Sequence, residues 1–229
     1  MARYVIPSWD LPSLPVSGTD SVFPVRRIHC VGRNYAEHAR EMGHDPDREP
    51  PFFFAKPPDA IVPNGGDVPY PSQTEKLAYE MELVVAVGKR GVDIARESAL
   101  DYVYGYGVGI DLTRRDLQAT AKQMGRPWEP GKAFDNSAPV STIHPVAEIG
   151  HPKTGRIWLE VNGEMRQQSD LSQMIWPVPD IIAYLSRLYA VQPGDLIFTG
   201  TPAGVGFVKR GDELRGAVDG VERIRVRIT

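Results

Sequence analysis

LAYEMELVVAVG, residues 77–88, is a run of strand-forming residues that carries two glutamates, Glu80 and Glu82. Side chains alternate along a strand, so these two share one face while Met81 and Leu83 take the other. Like charges on one face of a buried strand repel. Each also loses hydration worth several kcal/mol unless a cation or proton compensates. A second apolar run, YGYGVGID at 104–111, closes on Asp111. Three carboxylates on neighbouring apolar strands make an oxygen-rich cradle for a hard divalent ion. The plainer alternative is a half-exposed strand with a polar face, and a helix-entry role for Asp111 near the positive end of the helix that follows.

Working outward, short strands dominate. VRRIHCVG and PFFFAKPPDAIVPNGG read as strands on the N-terminal side, the latter with a turn at Asn64-Gly65-Gly66. RIWLEVNGEMRQ reads as a hairpin, because Asn162-Gly163 suits a tight primed turn. DLIFTG, DELRGAV and VERIRVRI complete the set. Three helices interrupt them. NYAEHAREMG has Asn34 as cap and Glu37 in capping-box position. In TRRDLQATAKQMG, Thr113 and Asp116 form the box and Leu117, Ala121 and Met124 form an apolar stripe. VPDIIAYLSRLYA has Pro179 in its first turn. Strands outnumber helices and do not alternate with them. This favours an α+β fold built on a β-rich mixed-sheet roll or sandwich with a few peripheral helices. Residues 1–21, rich in Pro, Ser and Gly, read as an irregular N-terminal arm, and residues 22–229 as a single domain.

Composition narrows the partners. A chain of 229 residues with 41% hydrophobic and 24% charged residues is ordinary for a soluble globular protein. The net charge of −3 argues against an obligatory nucleic-acid partner, which needs a basic face. Cys30 is the single cysteine and cannot form an internal disulfide, which fits a reducing compartment. No run approaches the roughly 18 apolar residues of a membrane helix, and the proline-broken start lacks the apolar core of a signal peptide. A cytoplasmic location, with no membrane partner, is the expectation.

Other chemistry-bearing residues surround the acids in sequence. His38 and Glu41 are i and i+3 on a helix and can hydrogen-bond. A carboxylate on one imidazole nitrogen raises the basicity of the other, as water activation requires; a solvated helix face is the bland alternative. Lys56 and Lys132 lie in proline-flanked apolar surroundings, either as snorkelling side chains or as charges aimed at a carboxylate or developing enolate. Arg115 and Gln118 share a helix face just after Asp111, with plain surface exposure as the alternative. FTGTPAGVG, 198–206, matches neither a phosphate loop nor a dinucleotide fingerprint and suggests backbone close to a small ligand, beside the Thr199 and Thr201 hydroxyls.

In order along the chain, CVGRNYAEHAREM, Phe54-x-Lys56-Pro57, YEMELVVAVGK, YGYGVGIDLTRRDLQ, GKAFD, LEVNGEMRQ and GDLIFTGTPAGVG resemble the fumarylacetoacetate hydrolase family over residues 22–229. Within it the similarity is greatest to short single-domain acylpyruvate hydrolases. The resemblance implies the fumarylacetoacetase C-terminal-domain fold and one Mg²⁺ or Mn²⁺ per subunit on Glu80, Glu82 and Asp111. It implies a His38–Glu41 catalytic dyad and Lys132 beside the reacting carbonyl. Lys56, Arg115, Gln118 and Thr201 become substrate contacts, and the assembly a homodimer. Pro58 stands where relatives often carry Ser or Thr. The activity implied is metal-dependent hydrolysis of the C–C bond of a 2,4-diketo acid, 3-fumarylpyruvate giving fumarate and pyruvate in gentisate-type aromatic degradation. The distal carboxylate then needs a cation, with Arg33, Arg40, Lys122 and Arg126 available. The alternatives are an oxaloacetate or hydroxymuconate-type decarboxylase or isomerase on the same fold, and a non-catalytic metal-stabilised binding protein.

Overall fold

Met81–Val87 is buried at every position, because sheet neighbours and apolar layers enclose it on all sides. It pairs antiparallel with Asp195–Phe198 on one side and Val103–Ile110 on the other. The computed structural model describes residues 4–37 and 50–229. Its eight-stranded mixed sheet runs in the order Phe52–Lys56, Arg27–Gly32, Asp195–Phe198, Met81–Val87, Val103–Ile110, Ala138–Val140, Ile61–Pro63. His144–Pro145 pairs beside it onto Val103–Ile110. A five-stranded sheet in the order Glu164–Asp170, Arg156–Val161, Glu213–Val218, Glu222–Ile228, Gly65–Val68 forms the second layer. The architecture is the strand-rich α+β arrangement read from the sequence.

Two apolar layers flank the central strand, and strand alternation assigns its residues to them. Met81, Leu83, Val85 and Val87 join Ile157, Leu159 and Leu214 of the second sheet, and Ile181, Ile182 and Leu185 of the Val178–Leu188 helix. Val84 and Ala86 face the other way, onto Ile28, Val140, Leu196 and Phe198. Glu82 shares the parity of Val84 and Ala86. This latter apolar layer, on the face of the main sheet away from the five-stranded sheet, is covered by the N-terminal arm, whose composition suggested no regular structure. Ser13–Pro15 pairs with Val22–Pro24, burying Leu14 and Phe23. Order therefore starts well before residue 22, because an apolar face of the main sheet needs a cover.

The YGYGVGI strand alternates glycine with larger residues for a packing reason. Tyr106, Val108 and Ile110 fill the inter-sheet core. On the opposite face a Cβ at Gly105 would stand 2.3 Å from the His144 carbonyl oxygen, and one at Gly109 2.7 Å from the Phe198 ring. Gly105→Ala is expected to destabilise by about 1–3 kcal/mol, seen as a lowered denaturation midpoint. Gly107→Ala, whose Cβ would sit at 3.0 Å, should cost less.

The hairpin forms as expected, with Asn162 and Gly163 both at positive φ (54° and 83°) between Arg156–Val161 and Glu164–Asp170. Three local expectations give way. The helix after Asp111 spans Arg115–Gln123 with no side-chain cap. Asp116 instead accepts from Thr74 Oγ1 and the Glu75 amide, tying down the preceding loop. The Leu117–Ala121–Met124 stripe is not its buried face either. Met124 is 53% exposed, whereas Gln118 and Ala121 are buried. Asn34 is not a cap; its buried amide donates to Trp176 O and Thr199 O and accepts from Trp176 N, joining three segments.

Candidate active site

Glu80 stands at the break between Leu77–Tyr79 and Met81–Val87, Glu82 is the second residue of the latter strand, and Asp111 follows Val103–Ile110. Register puts Met81 opposite Ile110, and the Asp111 amide donates to Glu80 O at 2.8 Å. All three acids are buried, and their ligand oxygens lie within 4.8 Å of one another. Such a cluster survives only with compensation.

The chain supplies part of that compensation. Lys132, from the short Glu129–Lys132 helix, places Nζ 2.6 Å from Glu80 Oε2 and 2.7 Å from Asp111 Oδ2. Burial works against this ammonium, but Asp111 and Glu80 outweigh it and raise the lysine above its ordinary pKa. Arg115 opens the Arg115–Gln123 helix, donates to Glu80 Oε1 and, 2.7 Å away, to Gln118 Oε1. Lys56 is fully buried behind Asp111, with Nζ 2.9 Å from Oδ1, yet its hydrogen bonds go to the carbonyls of Leu112 and Lys132. Asp111 Oδ1 thus lies close to a positive charge without receiving a hydrogen bond.

Glu82 is compensated least. It accepts one hydrogen bond, from Gly200 N–H at 2.6 Å, and has no ion-pair partner among the described residues. Burial, with like charge from Asp111 and Glu80, holds its carboxyl well above the usual range. A buried carboxylate without a cation, beside an oxygen that receives no hydrogen bond, is a donor set that fits a hard divalent ion.

The family model described as fumarylacetoacetate (FAA) hydrolase C-terminal matches residues 27–229. The chain belongs to the fumarylacetoacetate hydrolase family. It is 44% identical over 203 residues to the mouse mitochondrial oxaloacetate tautomerase FAHD1, covering 89% of this chain and 91% of that protein. It is also 44% identical over 189 residues to a fumarylpyruvate hydrolase of a Ralstonia species, covering 82% of this chain and 98% of that one. Among solved structures, fumarylpyruvate hydrolase from Pseudomonas aeruginosa, in complex with Mn²⁺ and pyruvate, superposes with a TM-score of 0.97 at 53% identity over 99% of both chains.

Glu80 and Glu82 open onto a cleft that Lys132, Arg115, Gln118 and Thr201 also line, with Asp111 buried behind them. Lys56 is set behind Asp111 instead of along that cleft. Thr201 is held by Gln167, whose amide donates to Thr201 Oγ1 and Pro202 O and accepts from the Met81 amide between the two glutamates. Sequence reading did not single out Gln167. Its only signal was a polar residue two positions after Met165, on the hairpin strand. The aromatic wall of Phe52, Phe54 and Trp128 was missed as well. His38 and Glu41 lie outside the described residues, as does Arg40.

Proposed function

We propose that the protein hydrolyses the carbon–carbon bond of a 2,4-diketo acid, 3-fumarylpyruvate being the substrate that fits best. The observation that carries this reading is the buried triad of Glu80, Glu82 and Asp111, with Lys132 between two of its members, at the inner end of a cleft. A divalent ion, Mg²⁺ or Mn²⁺, on these acids would hold the substrate's carboxylate and 2-keto oxygen and polarise them as a Lewis acid. The Pseudomonas relative, a complex with Mn²⁺ and pyruvate, supports a divalent ion and a small 2-oxo acid as the kind of occupants such a site takes.

The chain's own groups then do the remaining work. His38, oriented by Glu41, takes a proton from water that attacks the 4-carbonyl. Lys132 donates to the oxygen on which negative charge develops. Arg115 and Gln118, locked to each other, fix the near end of the substrate, and the Thr201 hydroxyl keeps its own proton for donation because it accepts from Gln167. Breaking the C3–C4 bond releases fumarate, and pyruvate leaves as an enolate that takes a proton at C3. Lys56 serves as counter-charge to Asp111. The reading carries with it a role in aromatic-acid catabolism, a cytoplasmic location and a homodimer.

Offered fumarylpyruvate with Mg²⁺ or Mn²⁺, the protein should bleach the diketo absorbance and release one pyruvate per substrate, and a chelator should stop it. His38→Ala is expected to slow this by about 10²–10⁴-fold with metal affinity intact; full activity in that variant would remove the dyad. A second reading has its own support in the 44% identity to oxaloacetate tautomerase. Keto–enol interconversion of oxaloacetate, without cleavage of fumarylpyruvate, would select it.

A further inference from the structure

The Arg115–Gln123 helix presents Arg115, Gln118 and Lys122 to the cleft, residues spaced i, i+3 and i+7 on one face. Arg115 sits at the acid end. Lys122 lies seven residues on, about 10 Å along the axis at 1.5 Å per residue. Between them the cleft wall is aromatic. Phe54 lies under Lys132 at 4.9 Å, Trp128 lies 5.9 Å from Phe54 and 5.5 Å from Phe52, and Lys122 Nζ stands 4.8 Å over the Trp128 ring. Arg33 lies over the Phe52 ring at 5.2 Å. The cleft therefore has an acidic inner end, a flat apolar middle and a basic outer end.

The cations differ in how they are matched. Lys132, Arg115 and Lys56 each face Glu80 or Asp111. Lys122 makes no ion pair among the described residues, although it is only partly exposed and lines the cleft. Burial, with the Arg115 and Arg33 guanidinium groups adding to it, pushes its ammonium down to about 8. A lysine placed only to cap a helix end would turn to water or to an acid. This one is held over an indole among other cations.

We infer that Lys122, seated on Trp128 with Arg33 beside it, forms a subsite for a carboxylate at the far end of the substrate's acyl chain. The inference rests on reading the inner end as a 2-oxo acid site. A seven-carbon diacid has six C–C bonds of about 1.5 Å, which in an extended zigzag span roughly 7–8 Å end to end, within the helical span from Arg115 to Lys122. The aromatic middle suits the planar unsaturated segment of such a chain. Acylpyruvates with a neutral acyl end leave the Lys122 charge unmatched, so the subsite selects diacids over monoacids.

The test uses the Mn²⁺-loaded protein and two non-cleavable probes of equal length, 2-oxopimelate and 2-oxoheptanoate, with binding measured by calorimetry. Wild type is expected to bind 2-oxopimelate at least about tenfold more tightly, the scale of one charge-assisted contact. Lys122→Met should erase most of that preference while leaving 2-oxoheptanoate affinity unchanged, and Lys122→Arg should keep it. Lys122→Gln serves as the second neutral variant should the methionine disturb Trp128. Equal affinities in wild type, or a preference that survives both neutral variants, would overturn the subsite even if fumarylpyruvate is hydrolysed. A preference lost in the neutral variants, in a protein that fails to cleave fumarylpyruvate, would uphold the subsite and discard the hydrolase reading. Binding of neither probe would overturn the subsite, with the hydrolase reading judged by fumarylpyruvate turnover alone.

Discussion

Replacing Lys132 with methionine is expected to lower the stability of the metal-free protein by about 3 kcal/mol, the scale of removing one partner from a buried ion pair. Lys132 is the only described residue that bridges Glu80 and Asp111. Without it Glu80 keeps Arg115 and Asp111 keeps Lys56, but Asp111 Oδ2 loses its donor inside the protein. Mn²⁺ should restore much of the loss, because it supplies the same compensation at the same oxygens. The denaturation midpoint of Lys132→Met is therefore expected to depend on Mn²⁺ more steeply than that of wild type. With metal bound, kcat should still fall by about 10²–10³-fold for want of a donor to the developing oxyanion. An unchanged midpoint in metal-free Lys132→Met would show that the ammonium does not hold the acids together.

Glu82→Gln is expected to act in the opposite direction. Glu82 is buried, makes no ion pair among the described residues and accepts a hydrogen bond from Gly200. Its carboxyl is raised well above the usual range by burial and then by Asp111 and Glu80. Under these conditions the ionised side chain opposes folding. For such an acid, wild-type stability is greatest below the unfolded-state value of about 4.3 and falls as pH rises toward the raised folded value. The metal-free Gln variant lacks this loss, so its advantage should be absent at acidic pH and grow toward neutrality. Metal affinity should drop by at least about tenfold through the missing carboxylate charge, with activity lost alongside it. Metal affinity equal to wild type would take Glu82 out of the ligand set. The two variants together separate the roles, since one weakens the metal-free fold and the other strengthens it.

The acids were legible in the sequence because strand parity and apolar flanks are local properties. Glu80, Glu82 and Asp111 had to meet once LAYEMELVVAVG and YGYGVGID paired, and the register of Met81 against Ile110 brings them together. The helix behind them misled for the converse reason. Hydrophobic periodicity assumes that a helix buries its apolar side, which pointed to Leu117, Ala121 and Met124. The Arg115–Gln123 helix packs against a charged cleft, so Arg115, Gln118 and Lys122 turn inward and Met124 is left in water. The arm was misread on composition, because Leu14 and Phe23 reveal their purpose only when the uncovered face of the main sheet is known. Capping chemistry failed at Asp116 and Asn34 because both side chains found distant partners, in the loop at Thr74 and in Trp176 and Thr199. Such pairings span tens of residues and leave no local mark.

Gln167 gives the architecture a temporal meaning. It belongs to the Glu164–Asp170 strand of the five-stranded sheet, yet its single amide clamps the Met81 backbone of the main sheet and the Thr201–Pro202 loop. The strand that carries Glu82 and the loop opposite it are therefore held in line by a contact that exists only when the two layers are docked. On refolding, turnover is expected to return after the strand signal, as stopped-flow circular dichroism beside an activity assay would show. Partial separation of the layers, by mild denaturant or by a cavity at Leu159 or Leu214, reaches Thr201 through this one side chain. Loss of turnover then precedes loss of strand content, and enzymatic activity becomes a gauge of how firmly the two layers are closed.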